Sequence, residues 1–280
     1  MLHGAEPVSK AYWKLYEVLS RMKLMDSISP LSNCLDVGAA PGGWTQCIVG
    51  AMLNNLNSDD EKVTREHDSI ELSPTMASDL IRGRIWAVDK GRLTIDPLPK
   101  CVTIVPKMLE DALPIIADQL RQTVSKKLQF LLCDANLTPA QSMVIVGKVA
   151  DAGCLGAGTI VVLTLKNFCK SDGHWERECA LVKEILGEAL CSGDSDRFGR
   201  PILMHLFNNG MTEITLVLRC RTPTSRGNDP MITQDFKTER IKSCAEELSE
   251  KEKKRMLNGD TEKRIRKTRE YEERQKKKAI

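Results

Sequence analysis

A chain of 280 residues with 41% hydrophobic and 28% charged content can bury one substantial core and has the make-up of an ordinary globular protein. No apolar run approaches the roughly 18 residues a membrane-crossing helix needs, and the opening "MLHGAEPVSKAYWKLYEVL" lacks the apolar stretch of a secretory signal, so no membrane partner is expected. The net charge of +3 hides a split: residues 237–280 carry 16 Lys/Arg against 10 Asp/Glu, whereas 54–80 hold seven acids and two bases. Positive charge useful to a polyanion is therefore local.

The ten cysteines form no C-x-x-C pair and no Cys/His cluster of zinc type, so no metal site is expected. Several, such as Cys34, Cys101 and Cys133, fall inside apolar runs and read as buried, reduced thiols. That points to a reducing compartment inside the cell, with cytoplasm or nucleus/nucleolus favoured over mitochondrion. A monomer is favoured.

In chain order, a helix is expected at 10–22, a strand at 33–37 and a helix at 43–53. The polar segment 54–80 follows as a surface insertion. Strands at 84–89, 101–106, 128–134 and 158–166 alternate with helices near 110–124, 139–152 and 175–190. Strands at 202–207 and 213–220 are joined by "NNGMT", too short for a helix, and are expected to pair as an antiparallel hairpin. Strands that are apolar throughout, separated by helical patterns, imply a doubly wound α/β fold: seven strands, mostly parallel, with helices on both faces. Residues 1–222 form this domain, 223–236 a linker, and 237–280 a net-basic tail, helical or disordered.

"CLDVGAAPGGWTQC" carries the first chemical signal. A strand runs into Gly38, Gly42 and Gly43 before a helix, a turn that lets a ligand approach the backbone at the carboxyl edge of the sheet. The spacing is neither G-x-G-x-x-G nor a P-loop, which disfavours a nicotinamide or a nucleoside triphosphate. Asp89 ends the next strand, placed to accept hydrogen bonds from ribose hydroxyls. The insertion stretches the usual separation of about 20 residues. The structural alternatives are a turn that only closes the helix onto the sheet and an Asp89 that caps its own turn. Lys166 raises a separate question, because it ends the apolar run "TIVVLTLK", where a half-buried ammonium needs a partner or a task.

"DVGAAPGGWTQ", "SKAYWKL", "LLCDANLTP", "LTLKNFCK" and "LFNNGMTEITLVLR" together resemble the FtsJ-like ribose 2′-O-methyltransferases, over about residues 7–220 and most closely the rRNA large-subunit methyltransferase M branch. The resemblance implies a Rossmann-like fold that binds S-adenosyl-L-methionine. The implied cofactor residues are Ser9, Gly38, Ala40, Pro41, Gly42, Gly43, Trp44, Asp89, Met108 and Asp134. It also implies a catalytic Lys-Asp-Lys-Glu set at Lys14, Asp134, Lys166 and Glu213. In that set Lys166 is the base or the group that orients the hydroxyl, and the two acids hold the lysines. Met108 is a departure, since the family usually has an Asp there for the adenine; either Glu110 or Asp111 stands in after a local shift, or the adenine contact is made by backbone alone. Singly, each residue has a plainer reading: Lys14 as a solvated helix lysine, Glu213 as an edge-strand gatekeeper, Asp134 as the cap of the helix starting at Pro139.

The implied partner is RNA, with structured rRNA favoured, and a ribosome-assembly partner is compatible. Lys10, Lys14, Lys23, Arg82, Arg84, Lys90 and Arg92 could form a basic rim. An aromatic content of 4% argues against an extensive base-stacking platform. The rival readings are the same chemistry on tRNA or an mRNA cap, a non-catalytic cofactor- or RNA-binding assembly factor, and, more remotely, a dinucleotide oxidoreductase.

Overall fold

The computed structural model describes residues 6–60, 80–168, 201–210 and 213–220, together with 175, 177, 178, 180 and 182. The elements are α1 (Ala11–Arg21), β1 (Cys34–Val37), α2 (Gly43–Asp60), β2 (Ile85–Val88), β3 (Val102–Val105), α3 (Leu109–Arg121), β4 (Phe130–Cys133), α4 (Pro139–Asp151), β5 (Ile160–Lys166), β6 (Ile202–Met204) and β7 (Glu213–Arg219). The helix expected at 175–190 shows at Trp175, Arg177, Glu178, Ala180 and Val182. The linker, the tail and residues 61–79 lie outside the described residues.

The seven strands form one sheet in the order β3-β2-β1-β4-β5-β7-β6. β1 to β5 are parallel to one another, and β7 runs antiparallel between β5 and β6. β1, β2 and β4 are buried along their full length, whereas the edge strands β3 and β6 expose residues. That contrast explains why the central strands are apolar throughout: both faces are covered, so alternation has no solvent side to serve.

Alternation instead sorts side chains between two cores. Cys34, Ile85, Phe130, Ile160 and Val162 pack into one core with Leu15, Val18 and Leu19 of α1 and Ile48 and Met52 of α2. Their neighbours Leu35, Trp86, Leu131, Val161 and Leu163 enter the other with residues of α3 and α4. By the same period of two, Asp36, Asp134, Lys166 and Glu213 all fall on the α1–α2 side.

α2 is longer than expected. Residues 54–60, assigned by their polarity to the insertion, continue the helix to Asp60. The Asn55 side chain donates to the carbonyls of Met25 and Ile28, at 2.9 and 2.7 Å, and Leu56 packs against the core. Polar residues thus hold this part of the helix to the chain leading into β1.

Asn33 is a second polar anchor, fully buried just before β1. Its Nδ2 donates to Thr123 Oγ1 at 2.8 Å and Ser125 Oγ at 2.9 Å, its Oδ1 accepts from Arg84 N at 3.2 Å, and its own N–H donates to Gln129 Oε1. It fixes the starts of β1, β2 and β4 relative to one another. Asn33→Ala removes the side-chain hydrogen bonds to Thr123, Ser125 and Arg84 from a buried position and is expected to lower stability by roughly 1–3 kcal/mol, read as a lower denaturant midpoint with an unchanged slope.

Candidate active site

The carboxyl ends of β1, β2, β4 and β5 lie along one edge, and the strand order turns back between β1 and β4. Open α/β sheets bind their ligands in the crevice at such a point. The turn from β1 to α2 (residues 38–43) forms one wall. Gly38 takes φ +76°, and a Cβ there would meet Ala135 Cβ at 2.7 Å; a Cβ on Gly43 would meet Ser9 Oγ at 2.3 Å. The glycine need is therefore set first by close packing against the β4 loop and the start of α1. The sequence favoured ligand approach over a turn that only closes the helix onto the sheet; here the turn is made narrow by its own neighbours.

Asp89 joins this wall to β2. Its Oδ2 accepts the Ala40 N–H at 3.0 Å and its Oδ1 the Gly91 N–H at 2.7 Å. The plainer reading, a cap on its own turn, is thus present, and the second oxygen holds the glycine-rich loop. Each carboxylate oxygen keeps acceptor capacity for a further donor.

Of the other residues implied for the cofactor, Pro41 is exposed and Ala40 half-buried. Ser9 Oγ is buried and unpartnered. Trp44 packs in the core, with its Nε1 also buried without a partner. Met108 is exposed at the N-cap of α3. The two acids that could replace it begin α3, where Glu110 pairs with Lys148 of α4, which draws it toward α4, and Asp111 is exposed. Narrow wall, Asp89 with spare acceptor capacity, and Asp134 across the crevice together fit a nucleoside-type ligand such as S-adenosylmethionine.

The four residues of the second set come together. Lys14 Nζ lies 2.7 Å from Glu213 Oε2 and 3.6 Å from Asp134 Oδ1, and Lys166 Nζ lies 3.1 Å from the same Asp134 oxygen. Lys166 also donates to the Asp134 carbonyl at 2.7 Å and to Asn136 Oδ1 at 3.1 Å. Three acceptors therefore surround an ammonium that has three N–H groups. Asp134 Oδ1 makes no well-aligned hydrogen bond, so its hold on both lysines is ionic.

The plainer readings of these residues do not fit. Lys14 is buried within α1. Glu213 begins β7, an interior strand that pairs on both sides. The cap of α4 is Thr138, whose side chain accepts from Gln141 N while Gln141 returns a bond to the Thr138 N–H, which leaves Asp134 free to face the lysines. Burial alone would raise the Glu213 carboxyl. The Lys14 hydrogen bond, the Gly210 N–H and the charges of Lys14 and Lys166 outweigh it and hold the carboxyl below its ordinary value.

The expected basic rim does not hold as one patch. Lys90 and Arg92 follow β2 and are exposed near the crevice, as is Lys10 at the start of α1. Arg82 and Arg84 precede β2 and sit at the opposite edge, a strand length of about 13 Å away. Lys23, beyond the far end of α1, leads toward that same edge.

Residues 7–171 match the family model described as FtsJ-like methyltransferase. The chain belongs to the FtsJ-like methyltransferase family. The family's methyl donor is S-adenosylmethionine. Among curated proteins, the chain is 30% identical over 100 residues to the ribosomal RNA large subunit methyltransferase E of Rickettsia canadensis (strain McKiel), and equally so to that of Rickettsia rickettsii (strain Sheila Smith). That alignment covers 35% of this chain and 41% of the relative's length. These relatives bear the name of the E enzyme, whereas the motifs resembled the M branch. Solved structures with similarity include a putative hemolysin from Lactococcus lactis, at TM-score 0.47 and 14% identity over 83% of this chain and 98% of that one. Another is the O-methyltransferase TomG from Streptomyces achromogenes in complex with its methyl donor, at TM-score 0.42 and 14% identity over 76% and 81%. Among the described residues, no helix is long and apolar enough to cross a membrane, no His/Cys/Asp/Glu cluster could hold a metal, and the six cysteines are free.

One titratable residue of this FtsJ-like site escaped the sequence reading. Asp36 is fully buried beneath the glycine-rich loop and accepts the Thr45 hydroxyl at 2.7 Å. Burial pushes its carboxyl up to about 7, opposed by the Thr45 hydrogen bond and reinforced by Asp134 and Asp89. The signal was an acid inside an otherwise apolar strand. Because the folded chain keeps this proton up to about pH 7 while the unfolded chain releases it near 3.8, the folded state holds more protons in between. Stability drawn from Asp36 therefore falls as pH rises through that window. Asp36→Asn should flatten the fall, so that denaturant midpoints of wild type and variant, measured from pH 4.5 to 8, diverge in favour of the variant as pH rises.

Proposed function

We propose that this chain is an S-adenosylmethionine-dependent methyltransferase that methylates a ribose 2′-hydroxyl of RNA, with structured rRNA the leading substrate. The observation that carries this reading is the convergence of Lys14, Asp134, Lys166 and Glu213 beside the glycine-rich crevice of a family member.

Bound in the crevice, S-adenosylmethionine supplies an electrophilic methyl group. The chain's own residues have the task of placing a weakly nucleophilic hydroxyl against it, and positioning is the largest source of acceleration for such a transfer. Lys166 is the orienting group: it donates to the Asp134 carbonyl and to Asn136 Oδ1, and a ribose oxygen would take the place of Asn136 Oδ1, the one of these acceptors that is not part of Asp134. Asp134 holds Lys166 through its carboxylate and its carbonyl together, which fixes the direction of the ammonium. Glu213 fixes Lys14, and Lys14 in turn balances the charge of Asp134. Asp89 and the loop it braces hold the nucleoside.

The test supplies methyl-labelled S-adenosylmethionine and total RNA, then maps linkages that resist alkali. Wild type is expected to leave label at ribose 2′-oxygens of discrete nucleotides. Label on bases, or cofactor binding with no transfer to any RNA, would replace this reading with a base methyltransferase or a binding factor. Lys166→Ala should lower the single-turnover rate by about 10²-fold while the dissociation constant for S-adenosylmethionine stays within a few-fold.

The split of the basic residues makes a separate prediction about RNA. Lys90→Ala with Arg92→Ala should weaken RNA binding and flatten its dependence on salt, by roughly 0.7–0.9 units of log–log slope for each phosphate no longer neutralised. Arg82→Ala with Arg84→Ala should leave both nearly unchanged.

A further inference from the structure

The four polar head groups of the site sit in a recess. The side chains of Lys14, Asp134, Lys166 and Glu213 are only 11%, 14%, 11% and 18% exposed. Two phenylalanines on the same edge of the sheet are the opposite, Phe168 at 54% and Phe207 at 89%. Phe168 is two residues beyond Lys166, and Phe207 lies on the turn from β6 to β7, six residues before Glu213. Lys166 and Glu213 are register partners, so the two aromatic rings belong to loops that flank one recess.

The loop that carries Phe207 is pinned in place. The Phe207 N–H donates to Glu17 Oε2 at 2.8 Å, and Arg21 Nη1 donates to the His205 carbonyl at 3.3 Å. Both partners lie on the Lys14 side of α1. Further along the turn, the Gly210 N–H donates to Glu213 Oε2 at 2.9 Å, the same oxygen that holds Lys14. The backbone that carries this exposed ring is therefore pinned to α1, and the same turn reaches the site through Gly210 and Glu213. A single exposed phenylalanine would call for no explanation; two on the rim of a recessed polar cluster do.

We infer that the acceptor nucleotide enters unpaired, its ribose reaching down into the recess while neighbouring bases stack on Phe168 and Phe207. The occupant follows from two constraints, and the inference rests on the RNA reading above. In an A-form duplex the 2′-hydroxyl lies in a shallow groove between adjacent riboses and backbone; a paired strand cannot lower one hydroxyl past a rim to recessed head groups. Freeing the nucleotide costs its own stacking, and an aromatic face restores stacking without regard to base identity. Two such posts suit a short splayed strand, in keeping with a chain that has few aromatic residues.

The test uses the full chain and a short oligoribonucleotide carrying one 2-aminopurine, offered single-stranded and annealed to its complement, with no methyl transfer required. Wild type is expected to bind the single strand more tightly than the duplex and to change the 2-aminopurine emission on binding. Phe207→Ala and Phe168→Ala should each weaken single-strand binding by about five- to hundredfold, with S-adenosylmethionine affinity and thermal midpoint unchanged, and Phe207→Trp should retain binding. Equal affinity for duplex and single strand, or alanine variants that keep wild-type affinity and emission, would overturn the inference; in the latter case the phenylalanines serve another partner. If wild type shows the single-strand preference but the alkali-resistance experiment finds no ribose label, the reaction assigned above falls and the binding mode stands.

Discussion

The ammonium of Lys14 is the constraint on which the site depends. It is buried in a helix, and a buried cation without partners would destabilise the fold by several kcal/mol. Its partners are carboxylates from two different strands, Glu213 and Asp134. Those acids would repel each other and lose solvation if the lysine were absent. The result is mutual: α1 can lie on the sheet with Lys14 inward only if β4 and β7 present acids there, and the acids can be buried only under Lys14. Lys166 joins through Asp134, so that two positive and two negative groups share one recess with no net charge.

The period of the strands decides which residues can join. Asp134, Lys166 and Glu213 follow the parity of Phe130, Ile160 and Val217, which face the α1–α2 core. A shift of one residue in any of these strands would send its polar end to the α3–α4 side and break the group. Register is secure because both faces are apolar and distinct, and a slipped strand would misplace every core residue along with the polar one.

Much of this was legible in the sequence. The seven strands read out because central parallel strands are apolar throughout, and the short link between β6 and β7 left a hairpin as the natural solution. Lys166 was visible as a charge that ends an apolar strand, whereas Lys14, Asp134 and Glu213 each had a plainer reading and were joined to it by the family resemblance. Other features depended on contacts that no local pattern encodes. The end of α2 looked like a loop because it is polar, yet Asn55 is anchored by carbonyls some thirty residues away in the chain. The glycines at 38 and 43 read as ligand-facing, and only the packed structure shows Ala135 and Ser9 pressed against them. Arg84 and Lys90 are near in sequence and far apart in space, because a strand runs between them. Asp36 lacked any partner in the sequence, since its Thr45 lies across a turn whose course could not be read in advance.

The contact between Lys14 and Glu213 spans 199 positions of the chain. A ribosome synthesises the helix that carries the lysine early and the strand that carries the glutamate much later, after every other member of the group has emerged. Until β7 slides between β5 and β6, Lys14 has half its counter-charge and Lys166 borders an unfinished edge of the sheet. The recess therefore closes only when the last strand is in place, and a nascent or truncated chain lacking that strand holds two lysines and a single acid. Placing one quarter of the constellation on the last strand of the sheet makes the closed recess a report on the completed synthesis of that sheet.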